Sequence, residues 1–279
     1  MSLLLPFQKI EATGNDFIIV SETHLPEDYI RAERIRSWCK DRTGIGADGF
    51  IYFREVENGF YMRYFNRDGS VGSMCGNGLR AATLFAVHEN KLPLGTPFII
   101  RADDGAHEVQ LLSNTIGKVQ LHMHGDPRNI PAGELGLNSS LKVLGFLNTG
   151  VPHLVIEVKK NLNDVDVFSI GRRLRYHPRF QPEGTNVNFI QPVSDDKLRI
   201  RTYERGVERE TLSCGTGITA SALIWAKQWA EQPEKIEVSA RGGELTITRE
   251  SDKIYLTGAV RKVFSGKILV GIDKNISDL

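Results

Sequence analysis

Two short stretches of the chain share one pattern, and together they decide the fold. Residues 74–82 read MCGNGLRAA, and residues 213–221 read SCGTGITAS. Each stretch gives a cysteine, a glycine, one further residue and a second glycine, and then a run of small and apolar residues. Because Ala and Leu, which favour helix, are frequent after each second glycine, the pattern predicts two helices that begin just after a cysteine.

Four pairs of matching segments indicate that the chain contains a duplication. They occur in the same order, and the second member follows the first by 136 to 139 positions. A duplicated unit of roughly 120–135 residues predicts two domains of like topology. The pairs are TGNDFIIV from Thr13 with TGVPHLVI from Thr149, GADGFIYF from Gly46 with GTNVNFIQ from Gly184, YFNRDGS from Tyr64 with TYERGVE from Thr202, and Cys75 with Cys214.

The remainder of each half is predicted to form short strands around its helix. FIIV, GFIYF and FYMRYF in the first half, and LVIEV, VNFIQ and LRIRTY in the second, are rich in β-branched and aromatic residues. LTIT and IYLTG predict a late hairpin. The helices, over Leu79–Asn90 and Ile218–Gln232, are apolar almost all round at their start and should be buried. The predicted fold is α/β of the α+β type, with two pseudo-symmetric domains, each an antiparallel sheet wrapped around a central helix.

We place the N-terminal domain at residues 1–124 and the C-terminal domain at residues 125–261, with residues 262–279 returning to the first. The segment from Asp126–Pro127 through NIPAGELG is typical of an inter-domain connection. A third helix is predicted over Glu27–Lys40, where EDYIRAERIRSWCK is amphipathic.

The composition excludes several classes of protein. Of 279 residues, 41% are hydrophobic and 25% are charged, as in an average soluble domain. A net charge of +1 gives no electrostatic reason to expect nucleic acid or an anionic membrane as a partner. We expect no secretory signal and no transmembrane helix. Three cysteines do not make a disulfide framework, so thiols in the cytoplasm are expected.

A cysteine at the start of a buried helix has a particular chemistry. The unpaired N–H groups of the first turn and the helix dipole stabilise a thiolate, and the same N–H groups suit a carboxylate. Two such helices face to face would put one sulfur on each side of an α-carbon. This predicts a two-base racemase or epimerase, in which a thiolate removes a proton and a thiol delivers one to the opposite face. We expect no cofactor and no metal.

Other interpretations of the cysteines stay open at this point. Either one alone is more often a small core residue, and the pair could form a redox or regulatory disulfide. Half of a zinc site is disfavoured, because neither Cys75 nor Cys214 has a Cys or His at zinc-site spacing. Cys39 lacks the flanking glycines and is expected to be structural.

Polar residues of the matched segments should meet at the same cleft. Arg205 can hold a carboxylate with two hydrogen bonds, and Glu204 can accept from an ammonium. His153 can tune a sulfur by hydrogen bonding. A turn role is the alternative for the asparagines, most of all for Asn66. The full set is Asn15, Asn66, Asn77, His153, Asn186, Glu204 and Arg205.

The motifs TGNDF, GIGADG, FNRDGS, MCGNG, TNVNF, YERG and SCGTG resemble those of the diaminopimelate epimerase family through nearly the whole chain. The resemblance implies a cofactor-independent isomerase that interconverts LL- and meso-diaminopimelate, on the path to lysine and peptidoglycan. It implies a small amino acid as the partner, and a homodimer on family grounds alone.

The resemblance also implies roles for matching positions. Cys75 would accept the proton in one direction and Cys214 would donate one, with the roles exchanged in reverse. His153 and Glu204 would modulate the thiol pKa values. The reacting carboxylate would lie on Gly76, Asn77, Gly215 and Thr216, with Asn15 at the same end, and the distal amino acid group on Asn66, Asn186 and Arg205, with Glu204 near both.

Two positions depart from a common form of this pattern. Val151 stands in GVPH where many relatives have Asn, and Gly49 stands in GADG where some have Gln. Each change removes about 0.5–1.5 kcal/mol of hydrogen bonding to substrate. The alternatives are a proline or hydroxyproline racemase, which tends to have His at the position of Asn77, and a phenazine-biosynthesis-like isomerase, which lacks the cysteine pair. A third is a non-catalytic binding or redox protein of the same fold.

Overall fold

A computed structural model describes residues 2–72, 74–123 and 125–271. Within them, the strands join one 17-stranded sheet, and four α-helices pack on it. The N-terminal half contains β1 (Ser2–Ala12), β2 (Asn15–Ser21), α1 (Ala32–Trp38), β3 (Gly49–Val56), β4 (Gly59–Asn66), β5 (Val71–Gly72), α2 (Gly76–Asn90), β6 (Phe98–Ala102), β7 (Gly105–Ser113) and β8 (Ile116–Leu121). The C-terminal half contains β9 (Leu141–Asn148), β10 (Pro152–Val158), α3 (Val167–Arg175), β11 (Asn186–Ser194), β12 (Lys197–Glu204), β13 (Arg209–Thr211), α4 (Gly215–Ala226), β14 (Lys235–Ala240), β15 (Gly243–Glu250) and β16 (Lys253–Ala259), and β17 (Arg261–Gly271) follows it.

The strand pairings of one half repeat in the other. In the N-terminal half β2 and β3 are parallel, β3 and β4 antiparallel, β4 and β6 parallel, and β6 to β8 an antiparallel series. In the C-terminal half β10, β11, β12, β14, β15 and β16 pair in the same order and directions. The pseudo-symmetric α+β fold predicted from the duplication is therefore confirmed, and its mostly antiparallel sheet includes these four parallel pairings.

Two further pairings connect the halves. β8 and β16 are antiparallel, with Gly117 opposite Gly258. β17 pairs with β1 along its length, which carries the chain back to the N-terminal half as far as Gly271. The domain boundaries themselves stay a prediction, because residue 124 and residues 272–279 lie outside the described residues.

The two cysteine-led helices lie at the centre of the molecule. All residues from Gly76 to Val87 of α2 are buried, and the apolar residues of α2 and α4 belong to one core that spans both halves. α1 and α3 cover the outer faces of the sheet over two separate apolar clusters. No described helix is both long and apolar enough to cross a bilayer.

The helix predictions need three corrections. The predicted helix over Glu27–Lys40 is wrong in extent, because Ile30 and Arg31 take extended backbone and separate a 3-10 turn at Glu27–Tyr29 from α1. α4 ends at Ala226, earlier than the predicted Gln232. α3 was not predicted, although Asp166 caps it by accepting from the Ser169 N–H, a recognisable start signal.

Candidate active site

The starts of α2 and α4 lie against each other. Cys75 and Cys214 occupy the N-cap positions of the two helices; the Cys75 side chain makes a capping hydrogen bond and the Cys214 side chain does not. A Cβ atom at Gly215 would lie 3.7 Å from the Gly76 Cα, and the Asn77 side chain donates to the Ser213 carbonyl at 3.4 Å. The structure therefore brings both predicted helix starts to one place, with a cysteine on each.

Close packing explains the glycines of the two motifs, in addition to the expected exposure of backbone amides. Cβ atoms at Gly76 and Gly215 would lie 3.1 and 3.0 Å from Leu256, which packs against both helix starts. A Cβ at Gly217 would lie 2.3 Å from the Asn188 Oδ1 atom. The small residues thus allow the two helices and their neighbouring side chains to approach closely.

The Cys75 sulfur accepts from the Gly78 N–H at 3.4 Å. Burial raises the pKa of this thiol to about 11; the Gly78 hydrogen bond opposes the rise and the charge of Glu204 adds to it. The Tyr64 phenol is in the same environment, and burial, followed by the charge of Cys75, raises its pKa. The helix start lowers the cost of a thiolate here, whereas removal from water increases it.

A directional chain of hydrogen bonds runs past the Cys75 helix start. Arg80 Nη2 donates to Asn77 Oδ1 at 2.9 Å, Asn77 Nδ2 donates to Asn15 Oδ1 at 2.5 Å, and Asn15 Nδ2 donates to Asp48 Oδ2 at 2.9 Å. A guanidinium can only donate and a carboxylate can only accept, so the orientation of both amides is fixed from the two ends.

A second directional chain ends on the Cys214 sulfur. Asn188 Nδ2 donates to the Leu154 carbonyl at 3.1 Å, which fixes the amide orientation, and lies 3.2 Å from His153 Nδ1. His153 Nδ1 is therefore the acceptor, and Nε2 carries the proton that it donates to Thr216 Oγ1 at 3.0 Å. The Thr216 hydroxyl is then left to donate to the Cys214 sulfur at 3.5 Å.

His153 is neutral in this chain. Burial, with the charge of Arg205 adding to it, lowers the pKa of His153 to about 3. Burial also raises the pKa of the Cys214 thiol, and the charges of Glu204 and Cys75 contribute to the rise, whereas the Thr216 hydrogen bond opposes it. Each cysteine is thus within electrostatic range of Glu204, and Cys75 and Cys214 are within range of each other.

Glu204 and Arg205 lie at the end of β12. Burial raises the pKa of the Glu204 carboxyl to about 7. The Arg205 backbone N–H donates to Asn186 Oδ1 at 2.8 Å, and Asn186 Nδ2 donates to the Pro152 carbonyl at 3.0 Å. The Asn186 amide is therefore engaged at both ends by the protein, and it holds the Arg205 loop beside β10.

Asn66 is a predicted site residue that no contact between the described residues brings to the cysteines. Its Nδ2 donates to the Ser70 hydroxyl at 3.0 Å in an exposed turn, as in the turn alternative. Local packing explains the glycine at position 49, because a Cβ there would lie 2.6 Å from the Tyr64 ring. A glutamine at position 49 would need Tyr64 to move. For Val151 the structure offers no explanation.

The three cysteines are free thiols. Cys39 is buried in the cluster beneath α1, and burial raises its pKa to about 12, which fits the expected structural role. Among residues 2–72, 74–123 and 125–271, no group of three or more His, Cys, Asp or Glu side chains is arranged to hold a metal ion.

The sequence interpretation missed side chains that organise the site. Arg80, Tyr64 and Asp48 surround the Cys75 helix start. Asn188 contacts His153, and Thr202 holds Asn188 by donating to its Oδ1 atom. The sequence could have identified Asn188 as a site residue, because it stands two residues after Asn186 and strand residues at that spacing share a face.

Solved structures that share this fold include proteins named as epimerases, racemases, isomerases and phenazine biosynthesis proteins. A hydroxyproline epimerase from Agrobacterium vitis has a TM-score of 0.69 at 12% identity, covering 96% of this chain and 93% of that chain. A phenazine biosynthesis family protein from Enterococcus faecalis has a TM-score of 0.69 at 16% identity, covering 96% and 100%. At such identities the likeness shows the fold alone.

Sequence comparison identifies the family among the proteins of this fold. The diaminopimelate epimerase family model matches residues 7–129 and 145–263. A diaminopimelate epimerase of Aquifex aeolicus is 40% identical, with 95% of this chain and 98% of the relative covered, and one of Hydrogenobaculum is 38% identical, with 93% and 97% covered. The chain belongs to the diaminopimelate epimerase family.

Proposed function

We propose that this chain is a cofactor-independent epimerase that interconverts LL- and meso-2,6-diaminopimelate with two cysteines. The observation that supports it most is the meeting of two helix starts, each with a cysteine at its N-cap position, where a Cβ at Gly215 would lie 3.7 Å from the Gly76 Cα. Membership of the family gives the substrate, and the sulfur pair gives the chemistry.

In one direction the Cys75 thiolate removes the α-proton of the substrate, and the C–H electron pair stays on the substrate as an enolate-like anion. Cys214 then gives its thiol proton to the opposite face of the same carbon. After this turnover Cys75 is a thiol and Cys214 is a thiolate. The reverse reaction starts from this protonation state. The N–H groups of both helix starts stabilise the developing negative charge on the reacting carboxylate.

The supporting residues have separate roles in this proposal. Gly76, Asn77, Gly215 and Thr216, together with Asn15, hold the reacting carboxylate. Asn66 and Arg205 hold the distal amino acid group, and Asn186 contributes by positioning Arg205. Glu204 accepts from a substrate ammonium, and His153 acts on the Cys214 sulfur through Thr216.

The main rival is a proline or hydroxyproline racemase, whose fold this chain shares. Such a substrate has no second carboxylate, so it would not use both Arg205 and the helix starts. Incubating the purified protein in deuterated buffer with LL-diaminopimelate should incorporate deuterium at the α-carbon and form the meso isomer. If L-proline exchanges its α-proton in a parallel reaction and diaminopimelate does not, the chain is a proline or hydroxyproline racemase instead.

A homodimer and a cytoplasmic location complete the proposal. Leu4 and Leu269 are paired across β1 and β17 and are both exposed, at 55% and 67%, so this edge offers apolar surface to a second copy. Analytical ultracentrifugation at micromolar concentration should give twice the chain mass. The mass of one chain would contradict the dimer.

A further inference from the structure

Arg80 is a buried cation that the proposed reaction does not use. It is fully buried on α2, where Nη2 donates to Thr13 Oγ1 at 2.6 Å and to Asn77 Oδ1 at 2.9 Å. Its Nε and Nη1 atoms have no hydrogen-bond partner within the described part of the chain. The side chain lies over the β8–β16 connection, where Cβ atoms at Gly117 and Gly258 would lie 3.5 and 3.4 Å from it.

A buried guanidinium without an anion is costly, and arginine keeps its proton in proteins. Burial lowers the pKa of Arg80 to about 10, so it is charged at neutral pH; Cys75 and Glu11 are the two anionic groups that act on it. The Glu11 carboxylate is already engaged, since it accepts from the Gly14 N–H at 2.6 Å and pairs with Arg261 at 3.1 Å. The Cys75 sulfur is the remaining candidate for a counter-charge.

We propose that Arg80 is a positioning residue for the Cys75 side of the site, which orients Asn77 and Asn15 and supplies the buried positive charge that a Cys75 thiolate needs. The inference rests on the proposed function, because only proton abstraction requires that thiolate. It also assigns the resting thiolate to Cys75 and the resting thiol to Cys214.

The described residues of α4, Gly215–Ala226, do not repeat this charge. The position that corresponds to Arg80 on α4 is Thr219, whose hydroxyl donates to the Gly215 carbonyl within the helix. The other charged or titratable groups that act on Cys75 are Glu204 on β12, Tyr64 on β4 and Cys214 at the start of α4. Each of these, when ionised, is negative and disfavours the Cys75 thiolate, so Arg80 is the cation that opposes them.

The test is the pH dependence of Cys75 alkylation by iodoacetamide in the full chain, followed by mass spectrometry of the Cys75 peptide. Arg80→Met removes the charge and keeps much of the volume. A positive charge favours the thiolate, so its loss should move the alkylation midpoint of Cys75 upward by up to about one pH unit. The acid limb of kcat/KM should move in the same direction.

Two further variants separate charge from structure. Arg80→Lys keeps the charge but lacks the planar fork, so the Cys75 midpoint should stay near that of the wild type while kcat falls by about tenfold or more. Arg201→Met removes a guanidinium that pairs with Glu210 and is not among the main charges that act on Cys75, and it should leave the Cys75 midpoint unchanged. Circular dichroism establishes that each variant is folded.

A folded Arg80→Met protein with the wild-type Cys75 midpoint would overturn the inference. If that variant does not fold, Arg80→Lys decides alone, and either a raised midpoint or a wild-type kcat in it would overturn the inference. Alkylation does not depend on turnover. A wild-type protein that fails to epimerise diaminopimelate therefore counts against the proposed function, whereas an unshifted midpoint counts against Arg80.

Discussion

The two halves of the site have the same backbone plan and different side chains in contact with it. Gly78 and Gly217 are the second glycines of the two motifs. A Cβ at Gly78 would face Ile51 and Phe17 at 3.4 and 3.5 Å, whereas one at Gly217 would face Asn188 and His153 at 2.3 and 3.2 Å. Strand pairing puts Phe17 and His153 at equivalent places. One helix start thus packs on apolar residues and the other on a polar chain.

The difference shows two ways to stabilise a buried sulfur anion. On the N-terminal side, a backbone N–H contacts the Cys75 sulfur and the charge of Arg80 acts from further away. On the C-terminal side, a chain of neutral donors through His153 and Thr216 ends on the Cys214 sulfur. A two-base epimerase needs a thiolate and a thiol at any moment, and unequal environments favour one arrangement at rest.

The largest expected effect comes from removing either sulfur. Cys75→Ala and Cys214→Ala should each lower the epimerisation rate by about 10³-fold or more, because each loses the group that serves one face of the carbon. Each variant should still exchange the α-proton of one stereoisomer with deuterated solvent without inverting it, and the two variants should select opposite isomers. Chiral separation of the products with mass detection measures both effects. Near-normal turnover by either variant would contradict the two-base scheme.

A smaller effect is expected from Asn188→Asp, which changes only the polar side. A carboxylate at this position accepts from His153 Nδ1, so Nε2 loses its proton and Thr216 must donate to it instead of to the Cys214 sulfur. We expect kcat to fall by roughly 10–100-fold, since one hydrogen bond to an anion is lost. The ¹⁵N shifts of the His153 ring should report the exchanged tautomer.

The alkylation midpoint of Cys214 in Asn188→Asp should move to higher pH, because the thiolate has lost a donor, while that of Cys75 changes less. Asn188→Leu serves as the control, since it removes the contact to His153 without imposing the opposite tautomer. An unchanged His153 tautomer in the Asp variant would show that Asn188 does not set the direction of the chain.

The duplication and the two helix starts could be predicted because they depend on local patterns. Strand periodicity, glycine spacing and apolar runs are properties of short segments, and matching segments give the two-fold plan. The wrong helix prediction over Glu27–Lys40 also came from a local pattern. Amphipathic spacing continues through Ile30 and Arg31, although both take extended backbone there.

The role of Arg80 could not be predicted from the sequence, because its burial depends on distant parts of the chain. An arginine five residues into a helix is usually solvated. Here the space for it is made by Gly117 and Gly258, which meet only when β8 pairs with β16. For Asn186 the position near the site could be predicted, but its hydrogen-bond partners could not. Only the contacts show that the Arg205 N–H and the Pro152 carbonyl occupy its amide.

The smallest expected effect compares the two second glycines directly. Gly78→Ala adds a Cβ at ordinary contact distance inside α2, so we expect no loss of stability and a gain of up to about 1 kcal/mol from helix propensity. Gly217→Ala adds a Cβ at 2.3 Å from the Asn188 Oδ1 atom, so Asn188 and His153 must shift. That overpacking should cost about 1–3 kcal/mol and lower kcat together with stability. Urea unfolding of both variants measures the difference. Equal free energies of unfolding would mean that Asn188 and His153 accommodate the added Cβ at no greater cost than Ile51 and Phe17 do.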